Sequence, residues 1–491
     1  MKVCICGIVL PKGGNMLSKV KAVAVLFVFL LSAGMLAEDA KPVVQPKDIP
    51  GKFTLTPQPF PPLADIIAAA VPDRPVYGLY IWAEEYRTLR EEIRKIGWKQ
   101  IRVGGPWDDA TMRMVVEDDV EAMLVFGEKN RNNFKNDEEF LATCMRSIEK
   151  LLNRYGPGGS FFKDNPGLPV RPITALEIWN EPNFQYMIPD RQPQADVEKE
   201  REALYAKLLP AAAKTIKAKW PEVRVVGFGA GGASAGDLRF IKNVIKKDPK
   251  RIPESYDILS THPYVCPVPP EADSVQPWGS YSISKSLAII RTTLGSSAIP
   301  VWYTELGWDV SQADGGYYET NDSPRTNTQL QAAYICRMYS LALRLGVGRV
   351  HVMHAFDTDN CNFGFFMHNK TWGSLLPGEQ SWRPSSHAVR NMIKLMPFPK
   401  LIRAVNDGKD DWYAWTFNPD ARSRATLPPV TMAYCVSGQK NVEIDWSAPA
   451  ATLVDMLGTA QKINANPGGE GKWKLPVEIG PCPIYLTTAD K

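Results

Sequence analysis

Two patterns set the predicted fold class, α/β. Over residues 76–396 short apolar runs alternate with longer amphipathic stretches. That is the arrangement of parallel strands joined by crossover helices, and it predicts a TIM (β/α)8 barrel. From about Pro397 the period changes to two, in short runs separated by Gly, Pro and Asn clusters. This predicts a C-terminal antiparallel β-sandwich over 397–491. A doubly wound open sheet is the competing arrangement for the first part.

In chain order, Lys19 and Lys21 precede an apolar run from Ala22 to Leu31, followed by small residues at Ser32, Ala33, Gly34 and Ala37. This order predicts a secretory signal over 1–37, with Met16 a more ordinary start than Met1. The run is short for a membrane span. A secreted or periplasmic protein with no stable membrane insertion after cleavage is therefore expected, an uncleaved anchor being the alternative. Residues 38–75, with Pro42, Pro46, Pro50, Pro57, Pro59, Pro61, Pro62, Pro72 and Pro75, read as an extended linker. Strands are expected at 76–80, 100–103, 122–126, 173–179, 223–228, 256–260, 300–304 and 348–355. Helices are expected at 86–96, 137–155, 197–219, 238–247, 282–294 and 328–345. The sandwich strands are expected at 412–417, 430–436, 442–446, 451–455, 477–479 and 484–487.

Composition narrows the partners. The chain is 44% hydrophobic and 22% charged, ordinary for a soluble globular protein. A net charge of +4 from 57 basic and 53 acidic residues is too small and too evenly spread for a nucleic-acid partner. Fourteen tryptophans and seventeen tyrosines offer flat faces that stack on sugar rings, although tryptophan is also a large core residue. Without Cys4 and Cys6, six of the eight cysteines remain. In an exported chain Cys435 and Cys482 could staple the C-terminal part, and buried thiols are the alternative for the others. No C-x-x-C spacing suggests a zinc site, and no metal or organic cofactor is expected.

The chemistry concentrates at two strand ends. One is Ile178-Trp179-Asn180-Glu181-Pro182-Asn183, and the other is Trp302-Tyr303-Thr304-Glu305-Leu306-Gly307-Trp308. Two carboxylates delivered by separate strand ends are what acid/base and nucleophilic attack on a glycosidic bond require. Strict alternation puts Glu177, Trp179 and Glu181 on one face, Val301, Tyr303 and Glu305 on another, and Gln100 with Arg102 on a third. With those faces inward, Glu181, Glu305 and Arg102 converge. An arginine beside Glu305 would keep that carboxylate ionised, and a more apolar setting would keep Glu181 protonated. A pair of unrelated, salt-bridged glutamates is the bland alternative.

These motifs resemble the retaining glycoside hydrolases of clan A, which are built on the eight-fold barrel. Motif order, spacing and the trailing β-domain, with its closing Gly480-Pro481-Cys482-Pro483-Ile484-Tyr485-Leu486, are most similar to glycoside hydrolase family 39, over about 76–491. Families 5, 30 and 51 share the motifs. The resemblance implies Glu181 as acid/base, Glu305 as nucleophile and Asn180 as a contact to the sugar 2-hydroxyl. Arg102 matches the second-strand arginine of the clan, and His262-Pro263-Tyr264 its sixth-strand segment. It further implies double-displacement hydrolysis of β-type O-glycosidic bonds in a poly- or oligosaccharide substrate. A transglycosylase and a non-catalytic carbohydrate-binding barrel are the alternatives.

Three other features carry expectations. Gly227 to Gly232 formally match G-x-G-x-x-G, but on a fifth barrel strand small residues making room at the mouth explain the run better than a nucleotide does. His351 and His354 point to opposite strand faces, so one is expected in the core. The other is expected to join Asp357 at the mouth and bind sugar hydroxyls. Trp82, Trp107, Trp278, Trp308, Trp372 and Trp382 fall near strand ends, where two or three should be stacking platforms.

Overall fold

The computed structural model describes residue 49 and residues 52–488, apart from 128–129, 185, 276–279, 296–298, 315–324, 358–360, 368–377, 424–426 and 470. The expected leader with Met16, and Trp278 and Trp372, lie outside the described residues. Among the described residues no helix is long and apolar enough to cross a membrane.

Eight parallel strands close a barrel. They are β1 (Tyr77–Trp82), β2 (Gln100–Gly104), β3 (Glu121–Phe126), β4 (Ala175–Ile178), β5 (Arg224–Gly231), β6 (Ile258–His262), β7 (Val301–Leu306) and β8 (Arg349–Val352). Each pairs with its neighbours in chain order, and β8 closes on β1. The strands read as continuous apolar runs because helices cover one face and the barrel interior the other. The helix Asp137–Tyr155 illustrates the outer layer. The Asn136 side chain caps it by accepting from the Glu139 N–H, three acidic residues fill its first turn, and Arg154 sits in its last, each favourable with the helix dipole. Phe140, Cys144, Ile148, Leu152 and Tyr155 form its buried stripe. Helices Asp109–Glu117 and Pro384–Leu395 were not expected. The first is only nine residues long, and the second starts on a proline that reads as a breaker yet is tolerated at the first helical position.

Low in the barrel interior lies a small apolar plug of Met123, Ala175, Val226, Ile258 and Trp302. The layer above it is polar, with Arg102, Glu177, Ser260, Thr304 and His351 all buried. Charges at that depth persist only when paired.

The Pro-rich segment differs from the expected linker. In its described part, Phe53–Leu55 pairs antiparallel with Ala272–Ser274, and Leu63–Ala68 is helical. Phe60 meets the rings of Tyr413 and Trp415 edge-on, with the Arg344 guanidinium 4.5 Å from its centroid. The apolar residues between the prolines anchor the segment, a signal that the proline density masked.

The C-terminal part is a sandwich of two antiparallel sheets. One has six strands in the order β9 (Lys400–Asp407), β10 (Trp412–Asn418), β11 (Val430–Cys435), β16 (Ile484–Thr488), β13 (Ala450–Val454) and β14 (Ala460–Asn464). The other pairs β12 (Lys440–Trp446) with β15 (Trp473–Ile479). The larger sheet divides its residues by parity. Ala414, Ala433, Leu453 and Leu486 face Ile444, Leu475 and Val477 of the small sheet. Tyr413, Trp415, Tyr434 and Tyr485 join the barrel core instead. At that seam Arg337 forms a fully buried ion pair with Glu271, between the rings of Tyr334 and Tyr434. The expected Cys435–Cys482 staple does not form: the Cys435 thiol lies against the carbonyls of Ser437, Gly438 and Ile479 instead.

Candidate active site

Glu181 and Glu305 both reach a cavity of about 630 Å³ at the C-terminal ends of the barrel strands, where barrel enzymes keep their chemistry. Neither arrives by strict alternation. Trp179, expected inward, has φ +76°; it borders the cavity while its ring packs against Phe126 and Phe140. That left-handed residue turns the chain so that Asn180 and Glu181 both face the cavity. On β7, Val301 and Tyr303 face outward into the main core, and a register shift against β8 falls between their level and Leu306. This irregularity re-aims Glu305 inward, the usual use of a bulge beside a site.

Arg102 organises the floor. Its Nε donates to Glu177 at 2.7 Å, one terminal nitrogen to Glu305 at 2.8 Å and the other to Asn180 Oδ1 at 2.6 Å, and its carbon lies 4.4 Å from the Tyr80 ring centroid. Burial works against its charge, but Glu177 and then Glu305 more than offset this and raise its pKa. Glu305 also accepts from the Tyr264 hydroxyl at 2.7 Å, so each of its oxygens has a donor.

Glu181 has a different environment. Its Oε1 lies 2.9 Å from His262 Nδ1. Burial pushes its pKa up to about 7, with Arg102 opposing and Asp237 and Glu177 adding to the rise. Burial likewise pushes His262 down to about 4, so the imidazole is neutral. It can accept from the protonated carboxyl or donate to the carboxylate, depending on which ring nitrogen carries its proton. The glycine run makes room here, since a Cβ on Gly231 would lie 2.4 Å from Glu181 Oε1 and one on Gly229 3.1 Å from Glu177 Oε1. Asn183 holds the strand in place, exchanging 3.0 Å bonds with the N–H and C=O of Gly231. One donor atom each from Glu181, His262 and Glu305 lie within 4.8 Å of one another, a set that could hold a cation. Arg102 already supplies positive charge beside Glu305.

The structure thus brings Arg102, Asn180, Glu181, His262, Tyr264 and Glu305 together. Three expected contacts go elsewhere. Trp308 is buried, with its N–H donated to the Val268 carbonyl at 2.9 Å. Asp357 is buried against Arg383 and the Gly364 N–H, because an unpaired carboxylate cannot stay at that depth. His354 is fully buried beside the Tyr80 and Trp82 rings, with Nδ1 3.2 Å from the Phe356 carbonyl. Among the described tryptophans expected as platforms, Trp82 lines the cavity and is 42% exposed, while Trp382 is buried with its N–H on Glu92. Tyr186, 52% exposed, lines the cavity as well. Sequence reasoning missed it, and it missed the role of Glu177 as the anchor of Arg102. Tyr186 gave no signal, whereas Glu177 was already on the face assigned inward.

No family model and no curated protein sequence matches the chain. Solved structures do, and they define the class of fold: a closed parallel barrel with a β-domain, as found in glycoside hydrolases. The GH39 enzyme from Xanthomonas axonopodis pv. citri superposes with a TM-score of 0.52 at 12% identity, over 90% of this chain and 98% of that one. A monomeric β-xylosidase from Caulobacter crescentus CB15 gives 0.51 at 14%, over 86% and 98%. A family 51 α-L-arabinofuranosidase from Bifidobacterium longum gives 0.54 at 13%, over 86% and 97%.

Proposed function

We propose that this chain is a retaining glycoside hydrolase acting on β-type O-glycosidic bonds of poly- or oligosaccharides. The observation that carries the reading is the carboxylate pair, with donor oxygens no more than 4.8 Å apart. One oxygen of each carboxylate being that close supports the short carboxyl separation of retaining enzymes, roughly 5–5.5 Å, over the roughly 6.5–9.5 Å that leaves room for water in inverting ones. The different environments of the pair support different roles.

Glu305, held by hydrogen bonds from Arg102 and Tyr264, attacks the anomeric carbon while Glu181 gives its proton to the departing glycosidic oxygen. A covalent glycosyl–Glu305 ester results, and the leaving sugar departs as an alcohol. Glu181, now a carboxylate, takes a proton from water as that water attacks the anomeric carbon. The C–O bond to Glu305 breaks and both carboxyls return to their starting states. Asn180, held by Arg102, is placed to meet the sugar 2-hydroxyl, and Trp82 and Tyr186 offer stacking faces. The leader-like 1–37 supports a secreted or periplasmic location.

A panel of aryl glycosides tests the reading. At least one should be hydrolysed, and Glu305→Gln should lower its turnover by about 10³-fold or more. Unchanged turnover in that variant would overturn the assignment.

A further inference from the structure

A second cavity, of about 760 Å³, shares no residue with the catalytic one. Trp107, Leu151 and Tyr155 give it an apolar wall, and Arg146, Lys150 and Arg154 a basic one. The two cavities adjoin along the chain, because Pro106 lines the first and Trp107 the second. Trp107 is partly buried, and its indole N–H is buried with no acceptor among the described residues.

Arg146, Lys150 and Arg154 follow one another at four-residue spacing on the helix Asp137–Tyr155. Like charges so placed repel. Arg154 is neutralised by Asp109 and Asp164, and Glu149, which also lines the cavity, is paired with Lys219 at 2.6 Å. Arg146 reaches the Thr143 hydroxyl, and Lys150 has no hydrogen-bond or ion-pair partner among the described residues. A flat ring and two cations with no ionic partner among the described residues line one cavity.

We propose that this pocket binds an acidic glycan, one whose sugar faces stack on Trp107 and whose uronate or sulfate groups sit between Arg146 and Lys150. It would hold a polysaccharide beside the catalytic cavity, and in that sense rests on the glycosidase reading. Affinity electrophoresis of the full chain tests it in native gels carrying polygalacturonate, a sulfated galactan, neutral galactomannan or polyglutamate. The acidic glycans should retard the wild type. Trp107→Ala and Lys150→Glu should each weaken that retardation at least fivefold while keeping aryl glycoside turnover. Lys150 is exposed, so its variant keeps the test readable if Trp107→Ala fails to fold. No retardation of the wild type, equal retardation of the Lys150 variant, or equal retardation by polyglutamate would overturn the proposal. Loss of the glycosidase reading would instead appear as no turnover by any form, with the gels unaffected.

Discussion

Gly231 and Glu181 are in contact in a way that admits no side chain at position 231, where a Cβ would lie 2.4 Å from the carboxylate oxygen and 2.5 Å from Phe184. The placement of the carboxylate proposed as acid/base therefore depends on a residue with no proposed chemical role. Gly231→Ala should lower kcat by about 10²-fold, the usual cost of displacing a reacting group by about 1 Å. The loss should be largest on substrates with poor leaving groups, where proton donation matters most. Steady-state kinetics on a leaving-group series checks this, and a uniform loss across the series would count against it.

The raised pKa of Glu181 has a kinetic and a thermodynamic consequence. In the proposed mechanism Glu181 is protonated for the first step, so kcat/KM should fall as pH rises through about 7. Glu181→Gln should remove that limb and slow cleavage of unactivated substrates by about 10²–10⁴-fold. The folded pKa, about 7, lies above the ordinary 4.5. The native state thus holds a proton that the unfolded state releases between these values. The associated stability is full below about pH 4.5 and is lost as pH rises through about 7, a difference of about 3 kcal/mol. The Tm of Glu181→Gln relative to wild type should therefore rise between pH 5 and pH 8.

Glu177 and Asp357 are both buried carboxylates on an arginine, but the two arginines differ in what else they touch. Arg102 faces Glu305 and Asn180, so Glu177→Gln should lower kcat by about 10–100-fold with little change in KM. Asp357→Asn loosens Arg383 away from the cavity. It should lower Tm by about 5 °C or more and leave kcat and KM unchanged below the transition. A raised KM in the Asp357 variant would restore the sugar-contact role expected from sequence.

The barrel was legible because its strands are buried on both faces and its helices carry regular apolar stripes. Neither property needs tertiary context to be seen. The site was legible through its residue types and not through its geometry. Alternation predicted the convergence of Glu181 and Glu305, yet both reach the cavity only where alternation fails, at Trp179 and at the irregularity on β7. A positive φ at a tryptophan and a register shift follow from packing between elements. Asp357, Trp308 and His354 sit near strand ends but are claimed by buried partners that sequence spacing does not reveal. Tyr186 reaches the cavity from a loop with no periodicity to read.

The configuration of the first sugar released tests the central claim most directly. Proton NMR should be recorded in the first minutes of hydrolysis of the best aryl glycoside, before the anomers equilibrate. With Glu181 and Glu305 as close as they are here, the first product should keep the anomeric configuration of the substrate. A first product of opposite configuration would contradict the double displacement and the roles given to both glutamates.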